Sequence, residues 1–153
     1  MNKRTVIVAL ALSISLPGCG AIEIKNPFAG LRASPLETAL ASSKAAIEGA
    51  AEWYTDACVM RFNGIAIDED LCRTFYVEVG PALVGAQNTA VRVAKVVDAD
   101  AGGFAIARAT VRGAQRLFVD FAARYGLSRE PWSLGVTLAF SAVDRRLAAE
   151  EAK

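Results

Sequence analysis

The 153-residue chain contains no histidine. That removes the most common general base at neutral pH and the most common metal ligand. Neither sign of charge dominates, with 17 Lys and Arg against 16 Asp and Glu. A general nucleic-acid binder carries a strongly basic footprint, so no nucleic-acid partner is expected. Strand signals are nearly absent and no internal repeat organises the chain. No nucleophile stands at a telling distance from a base: Ser133 and Ser141 have no histidine to activate them. The carboxylates Glu78, Asp98, Asp120 and Asp144 each have an ordinary place on a helix surface. The expectation is a non-catalytic protein with no cofactor and no metal site.

What is present begins with an address. Lys3 and Arg4 precede an apolar stretch from Thr5 to Leu16, followed by small and turn-forming residues, the order of a secretory signal. The stretch falls short of the roughly 20 residues that a transmembrane helix needs. Leu16-Pro17-Gly18-Cys19 resembles the lipobox of bacterial lipoproteins, with a branched apolar residue three before the cysteine and a small residue one before it. Pro17 departs from the small residue usual at its position. The resemblance implies cleavage before Cys19 and lipidation of its thiol. Gly20 is not the aspartate that retains such proteins in the inner membrane of enteric bacteria. By that analogy the mature protein is anchored on the periplasmic side of the outer membrane rather than the inner. Burial of acyl chains stabilises such an anchor by about 0.8 kcal/mol per methylene.

Cleavage leaves 135 residues, enough for one domain with a real core, and fifteen Lys and Arg against 16 Asp and Glu. Two further cysteines remain, Cys58 and Cys72, and in an exported chain an even remainder suggests a disulfide; two buried free thiols are the other arrangement. Their spacing matches no zinc pattern.

Residues 19–34 carry Pro, Gly and Asn and read as a tether that reaches about 50 Å at roughly 3.4 Å per residue. Residues 35–150 read as the folded domain. Ser34-Pro35-Leu36-Glu37 is a capping box with proline at the first helical position. Leu36, Leu40, Ser43, Ile47, Ala50, Tyr54 and Ala57 or Cys58 then recur at helical spacing, while Lys44, Glu48 and Glu52 fall off that stripe. This helix runs to about Phe62, where Asn63-Gly64 stops it. Asp68, Glu69 and Asp70 complement the dipole of a second helix better than they form a calcium loop. That helix buries Leu71, Phe75, Val79, Ala82, Leu83, Ala86, Ala90, Val93 and Val97, and Gly80-Pro81 predicts a kink or break within it.

A third helix follows residues 98–103 and runs to about Tyr125, with Gly126 as its terminator and Phe104, Val111, Ala114, Phe118, Phe121, Ala122 and Tyr125 on one side. The last starts between Ser128 and Pro131 and buries Trp132, Val136, Ala139, Phe140, Val143 and Leu147. Trp53 and Trp132 read as core or boundary aromatics. The expected fold is all-α, an antiparallel four-helix bundle.

Arg108, Arg112 and Arg116 form a row four apart, with Arg124 nearby. Like charges at that spacing repel by about 0.2–0.5 kcal/mol per pair, so the row calls for an offset. Three are available: Glu48, Glu52 or Asp56 of a neighbouring helix, bulk water, or an acidic partner, lipid phosphate or anionic polymer. Leu134 and Leu138 project off the apolar face of the last helix, towards the tether or an interface. Together these five residues are the candidate partner-binding set. The expected function is that of a tethered interaction module with an envelope protein as partner. The alternative is a carrier of an apolar ligand or lipid between the helices.

Overall fold

The computed structural model describes residues 34–59, 68–96 and 99–153, all within one compact unit, Arg32–Lys153. The signal segment, Cys19, the tether before Ser34, the Asn63-Gly64 stop, Val97 and Asp98 lie outside the described residues. Among the described residues every regular element is helical: α1 (Pro35–Tyr54), α2 (Glu69–Thr74), α3 (Gly80–Lys95), α4 (Ala101–Arg124) and α5 (Pro131–Glu151). Two π-helical turns extend them, Thr55–Val59 after α1 and Phe75–Val79 between α2 and α3. None of these helices is long and apolar enough to cross a membrane.

The helix starts follow local chemistry. The Ser34 hydroxyl accepts from the Glu37 amide at 3.1 Å, and the Glu37 carboxylate accepts from the Ser34 amide at 2.7 Å. Two otherwise orphaned N–H groups are thereby satisfied. Asp68 caps α2 through the Leu71 amide at 3.0 Å, and Asp100 caps α4 through Gly103 at 2.8 Å. The end of α4 needs a glycine. Gly126 sits at φ 71°, while the Leu127 amide reaches the Ala122 carbonyl at 2.7 Å and the Gly126 amide reaches Ala123 at 3.3 Å. This is the Schellman arrangement, whose left-handed residue costs a side chain strain.

From Glu69 to Lys95 the backbone stays helical across the π turn. The Gly80 amide reaches the Phe75 carbonyl, five residues back. A proline ring contests the carbonyl four residues before it, and the wider turn takes up that conflict for Pro81. A Cβ on Gly80 would meet the Phe75 carbonyl oxygen at 3.2 Å, so glycine lets the turn close tightly.

The elements make a helical bundle. The helices α1 and α4 both pack on α5 and on α3, and α1 packs only marginally on α4. The core holds Leu40, Val79, Leu83, Val111, Phe118, Val136, Phe140 and Leu147. At one end Trp53 of α1 stacks on Trp132 of α5, centroids 4.3 Å apart, and meets Phe75 edge-on at 5.5 Å. Phe75 in turn lies 5.7 Å from Phe121. Beside this cluster the Cys58–Cys72 disulfide joins the turn after α1 to the start of α2. Closing such a loop stabilises the fold by about 3 kcal/mol in the chain-entropy model. Leu36, Ala94, Phe104 and Glu151 line an open pocket at the other end.

Sequence periodicity anticipated most of this core, with three omissions. Ala39 is buried and Ala107 and Ser133 are fully buried, and none of the three lies on the apolar stripes read from the sequence. Ser43 is buried as its stripe position required, and its hydroxyl lies against the Gln87 side-chain oxygen. The Gln87 amide nitrogen donates to the Leu40 carbonyl at 2.9 Å. A second glutamine does the same between α4 and α5, where Gln115 donates to the Ser141 hydroxyl at 2.6 Å. The two glutamines thus pair polar groups across helices, while the buried Trp132 Nε1 has no hydrogen-bond partner among the described residues.

Candidate interaction face

The arginine row lies where α4 runs beside α5, and its charge is partly consumed within the chain. Arg108 donates through Nε to Asp144 at 3.1 Å and through a terminal nitrogen to Glu151 at 3.0 Å. Arg112 grips the same Asp144 with two nitrogens, at 2.8 and 3.3 Å. The hydrogen bond to Glu151, and then those to Asp144, hold the Arg108 guanidinium above its ordinary pKa against a desolvation that lowers it. Glu48, Glu52 and Asp56 are not the partners, because they project from the outer side of α1, which barely touches α4. Among the described residues Arg116 has no ion-pair partner and is exposed.

Register explains the split. Gln115 reaches Thr137 and Ser141, and Arg112 reaches Asp144, so positions on α4 climb as those on α5 descend. Arg108 and Arg112 therefore face α5, and Arg116 turns outward. Val119 follows Arg112 and Arg116 on this side and helps to line a small groove with Ala122, Ser133, Leu134 and Thr137. Leu134 is 48% exposed and Leu138 is 68% exposed. Of the five anticipated partner-binding residues, Arg116, Leu134 and Leu138 lie open on the α4–α5 side, Arg112 is half-exposed, and Arg108 is mostly engaged. Val119, 42% exposed, was missed by sequence reasoning; its place three residues after Arg116 was the available signal.

Two of the groups with chemical potential, Ser141 and Asp144, are engaged within the fold. The Ser141 hydroxyl donates to the Thr137 carbonyl at 2.8 Å while accepting from Gln115. Asp144 holds two arginines. Among the described residues no three acidic or cysteine side chains come close enough to hold a metal ion. At the rim of the aromatic end, Asp70 accepts from Arg124 at 2.8 Å and from the Tyr125 hydroxyl. A separate open groove of about 310 Å³ runs between α1 and α3, lined by Ile47, Val84 and Val91 with Lys44, Glu48 and Asn88 at its edge. Compared with known proteins, the chain matches no family model, and no curated protein or solved structure is significantly similar to it.

Proposed function

We propose that this chain is a bacterial envelope lipoprotein, lipidated on Cys19 and held on the periplasmic side of the outer membrane, that works as a non-catalytic interaction module. Its folded part is an antiparallel four-helix bundle whose second helix, α2 with α3, bends near Gly80-Pro81. The helix neighbours support that arrangement, as do the π turn before Gly80 and the disulfide between the first two helices. The partner, another envelope protein, docks on the α4–α5 side through Arg112, Arg116, Leu134 and Leu138, with Arg108 behind them. The observation that carries the reading is that the α4–α5 side holds exposed leucines and an arginine without an ion-pair partner among the described residues. Leucine supplies apolar contact and arginine supplies directional donors, a combination suited to a protein surface. The lipid raises the effective concentration of a weak face.

Replacing all three arginines would break the Asp144 pairs and confuse docking with folding. The sharper test is Arg116→Glu with Leu138→Ser, compared with the parent chain by mild crosslinking in the native envelope. Loss of a specific protein neighbour with unchanged helicity supports the reading, and an unchanged set of neighbours overturns it. For the anchor, Cys19→Ser is expected to leave the membrane fraction. A second reading, a carrier of an apolar ligand, is favoured by the α1–α3 groove. Native mass spectrometry that finds a retained lipid, lost in Val84→Glu, would move it ahead.

A further inference from the structure

The exposed face of α1 and of the π turn after it carries its own row four apart: Lys44, Glu48, Glu52 and Asp56, all exposed. Lys44 and Glu48 pair at 3.6 Å, which leaves Glu52 and Asp56 without ion-pair partners among the described residues. The signs read plus, minus, minus, minus. Along α4 the corresponding row is Arg108, Arg112, Arg116 and Asp120, and read from its C-terminal end the signs are minus, plus, plus, plus. From Lys44 to Glu52 the step matches that along α4, about 6 Å at 1.5 Å per residue, while Asp56 sits in the π turn after α1. Glu48 and Glu52 repel one another mildly, as like charges four apart on a helix do, and along α4 Asp144 and Glu151 already offset Arg108 and Arg112, which leaves Arg116 as the open cation of its row. Within one chain the two cannot meet, because α1 and α4 lie across the bundle from each other.

We propose that the α4 row of one copy docks antiparallel on the α1 row of a second copy, with Lys44 opposite Asp120, Glu48 opposite Arg116 and Glu52 opposite Arg112. This rests on reading the α4–α5 side as an interaction face, and it names a second copy as the partner. The reversed pair Lys44–Asp120 sets direction, since a parallel docking on the same rows places no acid against Lys44. Charge patterns along facing helices select orientation in the same way in coiled coils. Ala41 and Ala45 on α1 and Ala109 on α4 are exposed beside the rows, and side chains this small let two helices approach closely. Rows inclined in the same sense align when two helices cross at about 50°. The two patches are different surfaces, so each copy keeps one of them open for a further copy, and the contact builds chains or rings rather than closed pairs.

The test uses the full chain in detergent, followed by sedimentation velocity over a wide concentration range. The parent chain is expected to associate with concentration and to dissociate in high salt. Glu48→Arg and Arg116→Glu are each expected to weaken association by about tenfold, because an opposite pair becomes a like pair. Both changes in one chain restore a complementary pair, so the double variant is expected to recover most of the loss, which also shows that neither change unfolds the protein. A zero-length carbodiimide is expected to join Lys44 to Asp120 between isotopically heavy and light copies. A parent chain that stays monomeric, or a double variant no better than the single ones, overturns the proposal. A monomeric chain that still loses a different envelope protein on Arg116→Glu with Leu138→Ser would leave the interaction-module reading standing.

Discussion

The two ends of the helical unit are closed by different means. One is filled by rings from α1, the π turn before α3, α4 and α5: Trp53, Phe75, Phe118, Phe121 and Trp132 form a connected cluster with centroid distances of 4.3 to 6.5 Å. Towards the other, the fully buried Ala90 and Ala107 stand where α3 and α4 pack together, and Leu147 and Phe104 supply most of the bulk. Large rings hold helices apart and fill the space between them. Alanines let backbones approach and leave little to remove. The aromatic end is therefore vulnerable to deletion and the alanine end to addition.

The largest effect is expected from Phe118→Ala. Phe118 is fully buried and lies edge-on to Trp132 at 5.8 Å, so its loss opens a cavity beneath the stacked tryptophans. A cost of about 3–5 kcal/mol is expected in urea unfolding, with a change in tryptophan fluorescence because the Trp132 indole borders the gap. Next comes the staple at the same end. Replacing Cys58 and Cys72 by serine, or reducing their disulfide, should cost about 3 kcal/mol, and peptide mapping without reductant should recover the bridged pair from the parent chain. A cost near zero for either change would show that the aromatic end is not where stability is concentrated.

At the opposite end the sign of the experiment reverses. Ala107→Leu adds bulk where the site has no room, and overpacking of this kind costs about 1–3 kcal/mol. Ala107→Gly removes little side chain and its cost, about 1 kcal/mol, is mostly that of glycine in a helix. If Ala107→Leu were neutral, the helices would have slack there, and the contrast between the ends would be one of composition and not of packing.

This contrast also marks what a single sequence reveals. Helix starts at Ser34, Asp68 and Pro131 and the stop at Gly126 were legible because caps and glycine are local signals, set within four or five residues. The buried stripes of Leu, Val and Phe followed from period alone. Ala107 did not, since alanine is as common on a surface as in a tight crossing. The π turns were illegible as such, and Gly80-Pro81 signalled only that some irregularity was due. At the candidate face, the row of arginines was visible but its partners were not. Asp144 and Glu151 lie 32 to 43 residues further on, and only the α4–α5 register brings them to Arg112 and Arg108. The sequence equally offered Glu48, Glu52 and Asp56, which helix order sends to another side of the bundle.

The smallest effect is expected at the rim of the aromatic end, where Tyr125 donates to Asp70. That bond raises the Tyr125 pKa above its ordinary value, with the Thr74 hydrogen bond working in the opposite direction and partial desolvation adding to the rise. A phenol whose pKa is higher in the folded than in the unfolded state holds its proton more tightly when folded. Its contribution is therefore complete below the ordinary tyrosine value of about 10 and is lost as pH climbs through the raised one. Tyr125→Phe should unfold at slightly lower urea than the parent at neutral pH, and the gap between the two should close above about pH 10. Arg124 pairs with the same carboxylate in an exposed setting, so added salt should weaken that pair while sparing the pH-dependent gap. A gap that stayed constant to high pH would assign the stabilisation to the ring contact of Tyr125 with Phe121, 5.1 Å between centroids, and would extend the aromatic end by one more residue.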